Sequence, residues 1–310
     1  MKMLKVTLCL WQLILCFSCS ALAATKTTTD LISELKQTIK TRKYRWDTSI
    51  LTEQGWETRG HSVQGFPLLT YTCGDRKSNN VSLILSAVHG DEVGPVYFGF
   101  RMVEWLKANP QLCEKKFIVV APFVNPDGFF RYTWGTRTNY NKVDLNRNFN
   151  TPDWIEKALS LWKSKMNSQR RYYPGDKPAS EPETLFQQTL IDEYKPTKIL
   201  SIHAPLNILD YDGPINAENT EFSKTYIDSC ESLKQAVSKA TPLLKFFAYG
   251  VFPGSLGNYA GKMRGIPTFT VELPTAKSED AAFYFGDLEK GTRLFLDYEV
   301  TKRLPVGTTL

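Results

Sequence analysis

The chain has 310 residues, 42% hydrophobic and 23% charged, with a formal net charge of +6. Those proportions describe an ordinary globular protein and exclude a disordered or membrane-embedded chain. The charge is small and no dense Lys/Arg tract appears, so nucleic acid is not an expected partner.

Residues 1–23 read as a secretory signal. Lys2 and Lys5 border an apolar run through Val6, Leu8, Leu10, Trp11, Leu13, Ile14, Leu15 and Phe17, which closes on the small-x-small site Ala21-Leu22-Ala23. The run is too short for a permanent span, so the mature chain is expected to have no transmembrane anchor. A lipoprotein signal acylated at Cys19 is the rival reading, and Cys16 and Phe17 fit it poorly. Cleavage removes Lys2 and Lys5, lowering the charge from +6 to +4. It leaves Cys73, Cys113 and Cys230, an odd number that is no disulfide framework. One bridge with a free thiol, or three buried thiols, both remain open.

Leu31, Ile32, Leu35 and Ile39 recur at helical spacing behind an Asp30 cap. Alternation from Trp56 to Tyr71, punctuated by Gly60 and Gly65, reads as an edge hairpin. The apolar runs Val81 to Val88 and Phe117 to Phe123 read as strands buried on both faces, separated by a helix from Pro95 to Ala108. Asn125-Pro126-Asp127-Gly128 then marks a turn. Ser180-Glu181-Pro182-Glu183 reads as a capping box opening a helix, and that structural role suffices for it. A strand from Lys198 to Ile202, a helix near Glu221 to Ala240 and a strand from Thr268 to Leu273 complete the pattern. Alternating strands and helices predict one α/β domain: a central mixed, largely parallel sheet flanked by helices on both faces.

The chain has three histidines. His89 and Glu92 form H-x-x-E, a spacing that lets both side chains grip one ion, although chance supplies it in roughly one chain in six. Position adds weight. His89 and His203 both end apolar strands, where ligands of open α/β sheets gather. A His/Glu/His set that leaves one position for water suits hydrolytic zinc. His61, in the hairpin, reads as a surface residue. Glu272 ends the strand Phe269-Thr270-Val271, on the right face to take a proton from an activated water. Arg147 with Asn146 offers a fork and an amide for a carboxylate, and Arg137 offers a cation for an oxyanion.

Taken together, HGDE (89–92), NPDG (125–128), DLNRNF (144–149), His203 and TVEL (270–273) resemble the zinc metallocarboxypeptidases. These pieces span most of the mature chain in the family's order, so their joint match is specific although each is common. The resemblance implies a carboxypeptidase-like catalytic domain over 59–310, preceded by a helical segment over 24–58. It implies one Zn2+ on His89, Glu92 and His203, with Glu272 as general base. Arg137 would polarise the scissile carbonyl, while Asn146 and Arg147 hold a substrate carboxylate. Tyr249 is the candidate for the family's active-site tyrosine.

GTRTN (135–139), GDKPASEPET (175–184) and PGSLGNYAGK (253–262) look most like the bacterial murein peptide amidase branch. That branch implies hydrolysis of the γ-D-glutamyl–diaminopimelate bond of peptidoglycan peptides, here in the periplasm. Two departures stand out: His203-Ala204-Pro205 where the branch often has His-Asp-Pro, and an inserted-looking stretch from Asn207 to Pro214 beside the pocket. The alternatives are a zinc acyl-amino-acid deacylase and a non-catalytic peptidoglycan-binding pseudoenzyme. Only 38 residues follow Glu272, which argues against the extra domain of the first. The presence of all four key residues argues against the second.

Overall fold

The computed structural model describes residues 24–215, 221–276 and 281–303. The expected signal, 1–23, lies outside them. Eight strands form one sheet: β1 Glu57–His61, β2 Pro67–Gly74, β3 Val81–Ser86, β4 Phe117–Ala121, β5 Lys198–His203, β6 Ile208–Asp212, β7 Lys245–Phe246 and β8 Thr268–Glu272. Their order is β1-β2-β4-β3-β5-β8-β6-β7. The centre, β4-β3-β5-β8, is parallel, and antiparallel pairings of β2 and β6 flank it. The sheet is mixed, as the alternation of elements predicts.

The helices are α1 Thr28–Arg42, α2 Val93–Ala108, α3 Pro126–Phe130, α4 Leu159–Lys165, α5 Pro182–Tyr194, α6 Lys224–Ala240 and α7 Ala281–Asp297. Central strands divide their side chains between two cores. Ile84, Ile118, Leu200, Ile202 and Phe269 pack with residues of α2, α6 and α7. Leu83, Leu85, Val119 and Ile199 pack on the other face with Phe186 and Leu190 of α5. This explains the unbroken apolar runs: each strand is buried on both sides. Leu31, Ile32, Leu35 and Ile39 of α1 join a third core with Tyr97 and Phe100 of α2. Among the described residues no helix is long and apolar enough to cross a membrane.

Two caps differ from expectation. The cap of α1 is Thr27, and Asp30 is the third helical residue, completing a capping box with it. Ser180 does not cap α5: Glu181 occupies the cap position without a side-chain capping bond, and Ser180 Oγ donates to Glu181 Oε1 at 2.6 Å. Glu183 is fully buried and accepts from Asn139 Nδ2 (2.9 Å) and the Val63 amide (3.2 Å), so burial diverts it from capping. The NPDG turn is the short helix α3, with Asn125 Oδ1 accepting from the Gly128 amide at 2.8 Å. Asn207 to Pro214 holds β6, which pairs with β8. Cys73 and Cys113 form a disulfide with 5.7 Å between their Cα atoms, and Cys230 is a buried free thiol. One bridge with a free thiol is therefore the arrangement.

Candidate active site

The parallel strands deliver their carboxyl ends to one edge of the sheet. His203 and Glu272 are register partners on β5 and β8. His89 follows β3, and Glu92 stands at the start of α2. A nest of backbones beneath them allows this approach. A Cβ on Gly90 would fall 2.1 Å from the Gly128 carbonyl carbon, and one on Gly135 only 2.2 Å from the Gly90 oxygen. Loops from three motifs thus stack directly on one another, which side chains at these positions would prevent.

His89, Glu92 and His203 are all buried, and one ligand atom of each lies within 4.8 Å of the others. His89 Nδ1 is 2.6 Å from Glu92 Oε1 and 3.1 Å from His203 Nδ1, which is itself 3.0 Å from Glu92 Oε2. The far nitrogens are held from outside: His89 Nε2 by Asp144 Oδ1 at 3.2 Å, His203 Nε2 by Ser201 Oγ at 3.0 Å. Anchored Nε2 atoms turn both Nδ1 lone pairs to the centre, as metal-binding histidines are oriented. Two neutral nitrogens and a carboxylate fit one zinc ion with a position to spare. Burial opposes the charge on Glu92, but the two histidines more than offset it and hold the carboxyl well below its usual range.

Arg137 reaches the same centre from the 136–144 loop. Its Nε donates to Asp144 Oδ2 at 2.8 Å, and a terminal nitrogen lies 3.2 Å from His89 Nδ1 and 3.7 Å from Glu92. Burial works against its charge, but Asp144 and Glu92 prevail and keep it charged. Glu272 is tethered lightly, accepting one long hydrogen bond (3.4 Å) from the Leu206 amide. Burial raises its pKa; His203 lowers it and Glu92 raises it further, and the net shift is upward.

These residues line a cavity of about 340 Å³, together with Asn146, Arg147, Tyr249, Asp210 and Asp212. Arg147 donates to the Asn146 carbonyl at 2.7 Å and stacks 4.2 Å from the Phe252 ring. Among the described residues it has no carboxylate within 4.0 Å, so its remaining donors can serve a ligand. Asn146 Oδ1 accepts from the Leu256 amide at 2.8 Å, which leaves its NH₂ to donate. Tyr249 is half exposed at the cavity, its amide bonded to Asp210 Oδ1 at 2.9 Å. All eight residues singled out in the sequence therefore border one space, while His61 lies apart on β1.

Sequence reasoning passed over others. Asp144 stands in the quoted DLNRNF stretch, yet its bond to His89 needed the fold. Ser201 precedes His203 by two, the strand period that puts both on one face. Asp210 and Asp212 alternate with buried Leu209 and Tyr211, a strand signature hidden in the inserted-looking stretch.

Comparison with known proteins agrees with this arrangement. Residues 55–285 match the zinc carboxypeptidase family. Murein peptide amidase A of Escherichia coli (strain K12) is 32% identical over 230 residues, 74% of this chain and 85% of that protein. The crystal structure of the murein-tripeptide amidase from Escherichia coli O157 superimposes with a TM-score of 0.54 and 28% identity, covering 78% of this chain and 92% of that one. Bovine thrombin-activatable fibrinolysis inhibitor, at 16% identity, shares the fold: TM-score 0.63 over 89% of this chain and 98% of that one. The chain belongs to the zinc carboxypeptidase family, a family of hydrolytic enzymes.

Proposed function

From that membership and the geometry of the cavity, we propose that this chain is a zinc-dependent amidase that hydrolyses the γ-D-glutamyl–diaminopimelate bond of peptidoglycan stem peptides. The observation that carries the reading is one cavity holding a His/Glu/His centre, a lightly tethered carboxylate and an arginine, Arg147, without a carboxylate partner among the described residues. The names of the relatives, murein peptide and murein-tripeptide amidases, supply the substrate class.

His89, Glu92 and His203 hold the metal. Zinc bound there supplies Lewis acidity toward water and the scissile carbonyl. Arg147 and Asn146 receive the carboxylate of the terminal diaminopimelate and fix the scissile bond over the centre. Arg137 donates to the carbonyl oxygen as negative charge builds on it. Glu272 takes a proton from the attacking water and passes it to the leaving nitrogen as the C–N bond breaks. Its raised pKa suits both halves of that exchange. Tyr249, at the mouth, closes over the bound peptide.

Export to the periplasm is part of the same proposal. The leader-like composition of 1–23 supports it, and so does the Cys73–Cys113 bridge, a feature of oxidising compartments. The test incubates purified, zinc-loaded protein with L-Ala-γ-D-Glu-diaminopimelate, with and without chelator. Release of free diaminopimelate that the chelator abolishes is the expected result. Tight muropeptide binding without release would instead indicate a binding protein. Release of acetate or succinate from acyl-amino acids alone would indicate a deacylase.

A further inference from the structure

The scissile bond has an acyl side as well as a leaving side, and a cation that the mechanism above leaves unused stands there. Along the carboxyl edge of the sheet the strands run β3, β5, β8, β6. Arg147 faces the β6 end: it stacks on Phe252, and a Cβ on Gly254 would fall 2.1 Å from its carbonyl oxygen. The same stretch of chain is tied to β6 by the bond from the Tyr249 amide to Asp210. A leaving residue held by Arg147 therefore lies toward β6. The acyl residue lies over the β3 end, where Asp91 stands between His89 and Glu92 in sequence.

Three arginines border the cavity among the described residues: Arg137, Arg147 and Arg171. The first two have tasks, and Arg171 does not. It sits in a short turn, Arg170–Tyr172, that is fixed from below. The carbonyl of buried Tyr173 accepts from the Asp144 amide at 2.8 Å, and that of Pro174 accepts from Asn148 Nδ2 at 2.8 Å. The loop that orients His89 thus also sets the root of Arg171. The Arg171 side chain is 52% exposed and reaches Asp91 by one long contact, Nη2 to Oδ2 at 3.4 Å. Asp91 Oδ1 has no hydrogen-bond partner, and among the described residues no bond engages the other two nitrogens of Arg171. Most of its donor fork is open to a second carboxylate.

Tyr172 sets the spacing. Its ring centroid lies 5.3 Å from Arg137 Cζ and 5.4 Å from Arg171 Cζ, so one aromatic ring separates the cation assigned to the scissile carbonyl from the cation at the lip. A γ-linked glutamyl residue is built on that scale. Its free α-carboxylate carbon lies ~5 Å from the scissile carbonyl carbon when the chain is extended.

We propose that Arg171 is a specificity-determining residue that donates hydrogen bonds to the free α-carboxylate of the γ-linked glutamate on the acyl side. This rests on the reading above, in which that residue supplies the scissile carbonyl. Asp91 keeps the guanidinium on the β3 side in the free protein, and the substrate carboxylate replaces one long contact with a forked pair.

The experiment compares wild type and Arg171→Gln on L-Ala-γ-D-Glu-diaminopimelate and on the same peptide with the α-carboxylate amidated, which removes the charge and keeps the length. Wild type should favour the carboxylate. Arg171→Gln should lose about fivefold to fiftyfold in kcat/KM on it, between the weight of an exposed ion pair and that of a charged hydrogen bond, with the loss mainly in KM. On the amidated peptide the two proteins should agree within about twofold, which also shows that the variant is folded and loaded with zinc. Arg171→Lys should recover part of the loss, because it restores the charge without the fork. Equal losses on both peptides, or no wild-type preference for the carboxylate, overturns the assignment. So does a loss that disappears when lysine replaces diaminopimelate, because Arg171 would then be reading the leaving residue. If no γ-D-glutamyl substrate is cleaved, the proposed function fails separately. Arg171 is then judged by calorimetric binding of L-Ala-D-Glu and its α-amide to the zinc-loaded proteins: the carboxylate form must bind wild type more tightly, and that advantage must vanish in Arg171→Gln.

Discussion

Raising the pH through neutrality should weaken the fold by way of two buried carboxyl groups, Asp127 and Glu183, which face each other between α3 and α5. Burial first, and then Asp127, push Glu183 up from 4.5 to about 8. Burial also raises Asp127, against hydrogen bonds from Ser62 Oγ (2.5 Å) and the Gln64 amide (3.0 Å). Glu181, which shares Asn139 with Glu183, adds negative charge nearby, and Lys26 acts on Asp127 from α1's side. A carboxyl whose folded value is raised keeps a proton that the unfolded chain has given up. Its contribution is complete below the unfolded value, about 4.5, falls as the pH climbs, and levels off above about 8. Each unit is worth about 1.4 kcal/mol, so the ceiling on the loss is about 5 kcal/mol. Hydrogen bonds from Asn139 and the Val63 amide favour the ionised form and already keep the rise from being larger. Urea unfolding of zinc-loaded wild type and Glu183→Gln, at a series of pH values from about 5 to about 8.5, reads the effect. The glutamine cannot ionise, so its stability should fall less steeply, by up to ~1.4 kcal/mol per pH unit. Coincident slopes would refute the reasoning, because the other ionisable groups are common to both proteins.

Glu272→Gln should retain zinc yet lose at least about a hundredfold in kcat, the usual weight of a general base; metal content and turnover measured on one sample check this. Arg147→Ala should act mainly on KM, because it removes binding shared by substrate and transition state. An unchanged KM would mean that another group holds the carboxylate. Asp144→Ala frees His89 Nε2 and should weaken zinc binding by about tenfold to a hundredfold, read by competition with a coloured chelator. Replacing Cys73 and Cys113 by serine reopens a loop of 40 residues, and denaturant unfolding should report a loss of up to roughly 4 kcal/mol on loop entropy.

Much of the centre was legible because each part carries a local mark. His203 and Glu272 end apolar strands, and H-x-x-E needs only one turn of chain to bring its two side chains together. The sheet was legible for the same reason, since Val81 to Ser86 and Phe117 to Ala121 are apolar at every position or nearly so. What escaped depended on who the distant neighbour is. The Ser180-to-Glu183 pattern is the same in solvent as in the interior, and only the arrival of Asp127 and Asn139 turns Glu183 inward. Three cysteines cannot announce a pair, because pairing is decided by how close the fold brings two Cα atoms. β6 went unread because its two aspartates break the hydrophobicity by which a strand is noticed, and they break it toward the cavity.

The stacked glycine loops under the candidate metal centre bear on how this scaffold can be retargeted. Gly90, Gly128 and Gly135 weld the HGDE, NPDG and GTRTN loops backbone to backbone, so a shift in any one drags the others and the ligands above them. That half of the molecule behaves as a chassis, with almost no independent tuning. The opposite wall, made of β6 and the stretch from Tyr249 to Gly257, lies outside that weld, although β6 pairs with β8 and Gly254 abuts the Arg147 backbone. A library aimed at new leaving residues belongs there, where exchanging a carboxylate or refilling one glycine alters what is admitted while the chemistry beside it stays intact.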